Sequence, residues 1–368
     1  MKITDVKIQI IKREFKMKKG TDLTHGGSSF AAKFADIPVL TIITDDGIEG
    51  IAMGFSGKEI VQYLVSIKPF LIGKNPLYRE ELWQQIWAQS RERLYSPVIL
   101  GMIDVALWDI AGKAANLPIY QLLGAYRDKI QAYASTPMIS DKKVMVDLLL
   151  EYQAKGFNAF KLHMNTGSAI KDIELCRAVR DALGDNAIIM HDAIATYDHR
   201  EALMVGRELE KLNYYWFEEP ISSMDTCGLT NLCRDLDISI AFQSFPGNLF
   251  SRAQDIIHGA TDIVRGDVLY SEGITALKKT AALAEANFMK CEIHGLFNPV
   301  MNAANLHVMC SIKNSDFYEY ITVDEISEFG VKQGIKIDDK GYAHVPQKPG
   351  IGLEIDWDYI NRCTIETL

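Results

Sequence analysis

Six polar residues recur through the second half of the chain at a nearly constant interval. Asp192, Glu218, Ser244, Asp267, His294 and Glu319 are separated by 26, 26, 23, 27 and 25 residues. One ionisable or hydroxyl group per unit, always at one phase of the unit, is the signature of a ring of side chains presented by repeated elements. Asp192 and Glu218, on neighbouring units, offer anionic oxygens that suit a hard cation such as Mg2+. Asp267 and His294 also fall on consecutive units. A carboxylate bonded to one imidazole nitrogen fixes the tautomer and leaves the other nitrogen free as a base. Lys161 and His163 are two apart in FKLHM, so on a strand they point the same way. A lysine turned into a protein interior needs an anion beside it. Arg265 and Glu292 lie one inward step below Asp267 and His294, and a buried ion pair between them, supporting the pair above, is expected. His191, His199, His258, His307 and His344 lack the register and read as structural or solvated.

The elements that must carry these residues follow from the rhythm of the sequence. From about residue 130, eight β-rich runs (IQAYAS, FNAFKLHM, AIIMHDA, YYWFEEP, SIAFQS, DIVRGDV, KCEIHG and FYEYIT) alternate with amphipathic stretches such as 172–183, 200–212 and 275–287. Repeated strand–helix alternation implies parallel strands with crossover helices, and eight units imply a closed barrel with its polar ring at the strand ends. An open doubly wound sheet would carry a Gly-rich phosphate loop after an early strand, and none is present. Before the barrel, residues 3–11 and 37–45 read as strands, flanking the Gly- and Ser-rich loop TDLTHGGSSF. Residues 57–123 read as helical, most clearly over LGMIDVALWDIAGKAANLPIYQLLG, and the last forty residues return to short strands and turns.

Composition excludes several classes. The net charge of −9 argues against a general nucleic-acid binder, whose affinity rests on clustered Lys and Arg. The uncharged stretch 293–312 holds two His, three Asn and a Pro, too polar for a membrane span. The N-terminus MKITDVKIQIIKREF alternates apolar and charged residues as a strand does, without the apolar core of a signal peptide. Six cysteines without a CxxC pair suit reduced thiols and a cytoplasmic location.

With these residues in place, the chain resembles the mandelate racemase-like group of the enolase superfamily. The resemblance spans nearly the whole length: GMIDVALWDIAGK before the barrel, KLH, HDA, WFEEP, VRGDV followed by EGIT, and EIH followed by AANLHV, in that order. It implies a (β/α)7β TIM-type barrel over 126–325, an α+β capping domain from residues 1–125, and a C-terminal segment, 326–368, packing on the cap. It also implies Mg2+-assisted removal of a proton α to a carboxylate. Asp192 and Glu218 would be metal ligands, Lys161 would neutralise the substrate carboxylate, and His163 and His294 would act as acid/base groups on opposite sides of the substrate. Asp267 would orient His294, and Glu319 would hydrogen-bond the enediolate. Homo-oligomerisation is a further expectation of the resemblance.

Two departures from the family pattern matter. Lys-x-Lys on the second barrel strand is replaced by Lys161-Leu-His163, and a histidine can still transfer protons near neutral pH. The usual third metal carboxylate is absent: the spacing puts Ser244 there, so Mg2+ is expected to bind weakly, completed by Ser244, water or substrate. Dehydration of an acid sugar to a 2-keto-3-deoxy acid is the leading expectation, because a His–Asp pair can protonate a leaving hydroxyl. A racemase, epimerase or cycloisomerase using the same bases, and a non-catalytic ligand-binding descendant, stand as alternatives. The loop near residues 20–30, with Thr24, His25 and Ser28, suits a hydroxylated substrate, and His25 is placed among the substrate-binding residues.

Overall fold

The computed structural model describes residues 1–13, 36–55, 57–93, 96–242, 247–323 and 328–368. Of the site expectations, those on His25 and Ser244 lie outside them.

The chain opens with three antiparallel strands, β1 (Ile3–Lys12), β2 (Asp36–Thr44) and β3 (Glu49–Met53). Three helices follow, α1 (Lys58–Leu71), α2 (Arg79–Arg93) and α3 (Pro97–Ala115), and then the short α4 (Ile119–Leu122). Helix α3 starts on a Ser96 side chain that accepts from Val98 N, with Pro97 at its first position, and ends at Asn116 in the left-handed conformation. Fourteen of its nineteen residues are buried, because it lies between the capping sheet and the barrel. Two glycines permit that fit. A Cβ at Gly50 would lie 2.0 Å from Ala106 O, and one at Gly101 would lie 2.5 Å from Leu269 O. Two buried carboxylates of α3 then tie the layers together. Asp109 accepts from Ile51 N and Ile351 N, and Asp104 accepts from Thr275 N and Thr275 Oγ1.

The barrel strands are β4 (Lys129–Met138), β5 (Ala159–His163), β6 (Ile188–Asp192), β7 (Trp216–Glu218), β8 (Ser239–Phe242), β9 (Ile263–Gly266), β10 (Lys290–Ile293) and β11 (Phe317–Ile321). The helices between them are α5 (Lys142–Ala154), α6 (Ala169–Leu183), α7 (His199–Lys211), α8 (Thr226–Asp235), α9 (Leu249–Ile257), α10 (Gly273–Ala286) and α11 (Pro299–Met309). All eight strands are parallel, in the order β10-β9-β8-β7-β6-β5-β4-β11. This is the (β/α)7β TIM-type barrel with a separate antiparallel cap that the family resemblance implies. No helix among the described residues is long and apolar enough to cross a membrane; the apolar stretch after residue 293 contains the buried helix α11.

The C-terminal segment divides its contacts. Strand β12 (Tyr342–His344) adds antiparallel to β4 of the barrel, while β13 (Thr364–Thr367) pairs with β1 of the cap.

The ladder does not close between β10 and β11; side chains bridge the gap. Glu292 accepts from Asp316 N at 2.8 Å, Phe317 N at 3.2 Å and Ser315 Oγ at 3.3 Å. At the upper end Glu319 accepts from Gly295 N at 2.7 Å. The expected Arg265–Glu292 ion pair therefore does not form, although the two residues are register neighbours. Alternation places both on one side of the wall, but Glu292 turns to the seam, and the long Arg265 side chain reaches the carboxylates at the mouth.

Candidate active site

The barrel interior is built in layers of period two. Tyr133, Ala159, Met190, Trp216, Ala241, Ile263 and Phe317 form a dry apolar floor. Two residues further along the strands, the same alternation presents Ser135, Lys161, Asp192, Glu218, Arg265 and Glu319 above that floor. Strand pairing sets His163 opposite Asp192, and Asp192 opposite Glu218, in lateral register.

Lys161 is fully buried, and its Nζ lies 2.9 Å from Glu319 Oε1, 3.1 Å from Glu218 Oε2 and 3.2 Å from Asp192 Oδ2. Burial works against its charge, but Glu218, Glu319 and Asp192 outweigh it and hold the ammonium well above its ordinary value. Arg265, also buried, donates from Nε to Glu218 Oε1 at 2.9 Å and lies 3.3 Å from Glu319 Oε2. Trp216 Nε1 donates to Glu218, and Ser135 Oγ to Glu319 at 2.7 Å. Glu319 thus accepts from four donors. Burial disfavours its charge, yet Lys161, His294 and Arg265 hold it well below the usual carboxylate range.

His163 Nε2 lies 3.0 Å from Asp192 Oδ2, and its backbone N–H donates to Thr136 Oγ1. The other Asp192 oxygen accepts from Ile194 N at 3.0 Å. Ile194 and Ala195 are both left-handed, with φ of 51° and 54°, and Glu219 has φ of 42°. A β-branched residue in that region is strained, and these turns follow the two carboxylates proposed to bind a cation. Behind them, His191 sits against Tyr197, whose hydroxyl donates to Asp172, and Asp172 accepts from Thr166 N in the loop after β5. Burial pushes His191 down to about 4, which suits a structural, neutral ring.

Asp267 and His294 form the second grouping. Asp267 Oδ1 accepts from Leu269 N and Tyr270 N, both at 2.7 Å. Its Oδ2 lies 3.6 Å from His294 Nδ1, an ion-pair contact just too long for a hydrogen bond. Burial disfavours the imidazolium, but Asp267 and Glu319 outweigh it, so the imidazole is raised above its ordinary 6.5.

The structure therefore joins Lys161, His163, Asp192, Glu218 and Glu319 in one contact network. His294 and Asp267 border it through Gly295 and Glu319. Sequence reasoning misses Ser135 and Glu219, and gives Arg265 only a supporting role below the Asp267–His294 pair. Burial, with Asp192 and Glu218 nearby, pushes Glu219 up to about 8. Its only sequence signal was its place beside Glu218 in WFEEP.

Among the described residues, no group of three or more His, Cys, Asp or Glu side chains is set as a metal cage. Asp192 and Glu218 nevertheless share one cation, Lys161 Nζ. Two anionic oxygen donors on adjacent strand ends fit a hard divalent ion.

Comparison with known proteins agrees with this architecture. Residues 144–359 match the enolase C-terminal domain-like family, and residues 28–124 match the mandelate racemase / muconate lactonizing enzyme N-terminal domain. Arabinonate dehydratase of Saccharolobus solfataricus is 30% identical over 330 residues, covering 87% of this chain and 88% of that protein. The crystal structure of D-glucarate dehydratase from Agrobacterium tumefaciens complexed with magnesium is 33% identical, with a TM-score of 0.86 over 100% of both chains. That of the 3,6-anhydro-D-galactonate cycloisomerase from Zobellia galactanivorans is 26% identical, with a TM-score of 0.87, also over 100% of both. The chain belongs to the mandelate racemase / muconate lactonizing enzyme family of the enolase superfamily.

Proposed function

We propose that this protein is a lyase that dehydrates an acid sugar, a small carboxylate substrate, to a 2-keto-3-deoxy acid. The observation that carries the reading is the Asp267–His294 pair, which sets an imidazole, raised above its ordinary 6.5 by Asp267 and Glu319, beside the charged cluster at the barrel mouth. In this reading Lys161 binds the substrate carboxylate. His163 takes the α-proton, and the C–H electron pair forms the enediolate. Collapse of the enediolate expels the β-hydroxyl, His294 delivers the proton that makes it water, and the enol ketonises. Glu218, Glu319 and Asp192 keep Lys161 charged and in place, and Arg265 holds Glu218 and Glu319. Mg2+, held by Asp192 and Glu218 and expected to bind weakly, would supply electrophilic stabilisation of the enediolate when bound. The fold relatives that are dehydratases of arabinonate and glucarate support this class.

A second reading, cycloisomerisation or epimerisation, is favoured by the two imidazoles on different strands and by the structural likeness to a cycloisomerase. The test is incubation with a panel of aldonates and aldarates plus MgCl2 in D2O, followed by proton NMR and a keto-acid assay. Keto-acid formation with deuterium incorporated at C3 of the product, both lost in His163→Ala and His294→Ala, is expected. Deuterium uptake at C2 without loss of water selects the second reading, and neither exchange nor keto acid with any member overturns both.

A further inference from the structure

One buried cation near the mouth takes no part in the contacts above. Arg252 lies on α9, outside the β-wall, and is only 1% exposed. Burying a guanidinium is costly unless its donors meet oxygens and a counter-charge. Its Nε donates to Arg265 O at 3.1 Å, two residues before Asp267. His294 N donates to the next carbonyl, Gly266 O, at 2.8 Å. Arg252 and His294 thus hold consecutive carbonyls of the strand end that delivers Asp267. Gly266 permits this fit: a Cβ there would lie 2.9 Å from Ser271 Oγ and 3.5 Å from Arg252 Nε. Ser271 Oγ in turn accepts from Asp267 N at 3.0 Å.

The charges around Arg252 point the same way. Burial works against the guanidinium and lowers it, and of the carboxylates that offset this Asp267 contributes most, ahead of Asp255 and Glu272. Asp267 Oδ1 is already taken by two backbone donors, so Oδ2 alone is turned to His294. The groups facing His294 are Asp267, Glu319, Lys161 and Glu219.

We propose that Arg252 is a positioning residue for the Asp267–His294 pair, fixing the peptide that carries Asp267, so that His294 carries its proton on Nδ1 and offers Nε2 to the substrate. The value of this arrangement rests on the acid/base reading of His294. The experiment therefore uses substrate-free protein, where the pair can be observed whether or not any acid sugar turns over.

The test is a pH titration of the full chain, 15N- and 13C-labelled at histidine, with His294 assigned by His294→Asn. In wild type the neutral ring should be mainly the Nδ1–H tautomer. In Arg252→Gln the tautomers should become mixed and the His294 midpoint should fall by about one unit, a tenfold weaker hold on its proton. In an Asp267→Asn background the same substitution should produce no further change. Arg252→Lys covers the case in which the glutamine variant does not fold. It keeps a buried cation but cannot both hold Arg265 O and face Asp267, so a shift of about threefold in the same direction is expected. An unchanged tautomer and midpoint in either folded variant, or a full effect in the Asp267→Asn background, overturns the proposal.

Discussion

The two sides of the barrel mouth are built to opposite specifications. Around β5–β7, Lys161 touches three carboxylates within 3.2 Å, one of them Glu319 from β11, and Arg265 of β9 ties two of them again from below. On the β9–β10 side, Asp267 and His294 stand 3.6 Å apart, and His294 keeps 28% of its side chain exposed. The first side is a closed knot in which two cations face three carboxylates, leaving an excess of negative charge before any cation or substrate arrives. The second is a pair left one small movement short of a bond, as catalytic contacts in unliganded sites often are. On the proposed reading, binding and chemistry would be separated: the rigid charge pattern would fix where a substrate carboxylate sits, and the looser imidazole would move the proton.

That contrast can be broken in three ways. The largest effect is expected from Lys161→Met, which leaves Asp192, Glu218 and Glu319 facing one another without their shared cation. Urea unfolding in EDTA should show a loss of about 3–5 kcal/mol, and added MgCl2 should recover part of it. A variant as stable as wild type would mean that the knot is not held by charge.

Next comes Glu292→Gln, which probes the seam beneath the dyad. Burial pushes Glu292 up to about 7, above its ordinary 4.5. The folded state therefore binds the proton more tightly than the unfolded chain, and stability from this group falls as pH rises from about 4.5 to 7. The variant should lack about 2 kcal/mol of that decline, read as unfolding free energy at pH 5 and pH 8. Equal slopes would count against a protonated Glu292 at the seam.

The smallest effect belongs to Asp267→Asn. His294 is raised above 6.5, so its stabilising contribution is complete below that pH and disappears as pH rises through the folded value. Removing Asp267's charge should flatten this dependence by about 1 kcal/mol. A loss as large as that of Lys161→Met would erase the distinction between a tight side and a loose one.

Most of the ring was legible because a barrel repeats. Asp192, Glu218, Asp267, His294 and Glu319 share one phase of a 23- to 27-residue period, and Lys161 and His163 follow from strand alternation. Arg265 and Glu292 were placed on the correct side and given the wrong partners. Alternation fixes where a Cβ points, but not how far a guanidinium climbs or that an incomplete ladder will claim a carboxylate. Ser135 gave no signal, since a serine in a strand resembles any other until a carboxylate lies opposite. Arg252 was harder still, because its helix lies outside the wall and its contact is to a backbone oxygen.

The seam between β10 and β11 carries one more consequence. Where the ladder is missing, Glu319 holds the upper edge through Gly295 N while also anchoring Lys161. The upper edge of that closure and part of the charge balance on Lys161 thus share one side chain, while Glu292 holds the lower edge. A lineage adapting such a protein to new substrates could not adjust the two properties independently at that position. Its freedom to vary should lie across the mouth, on strands whose ladders are complete.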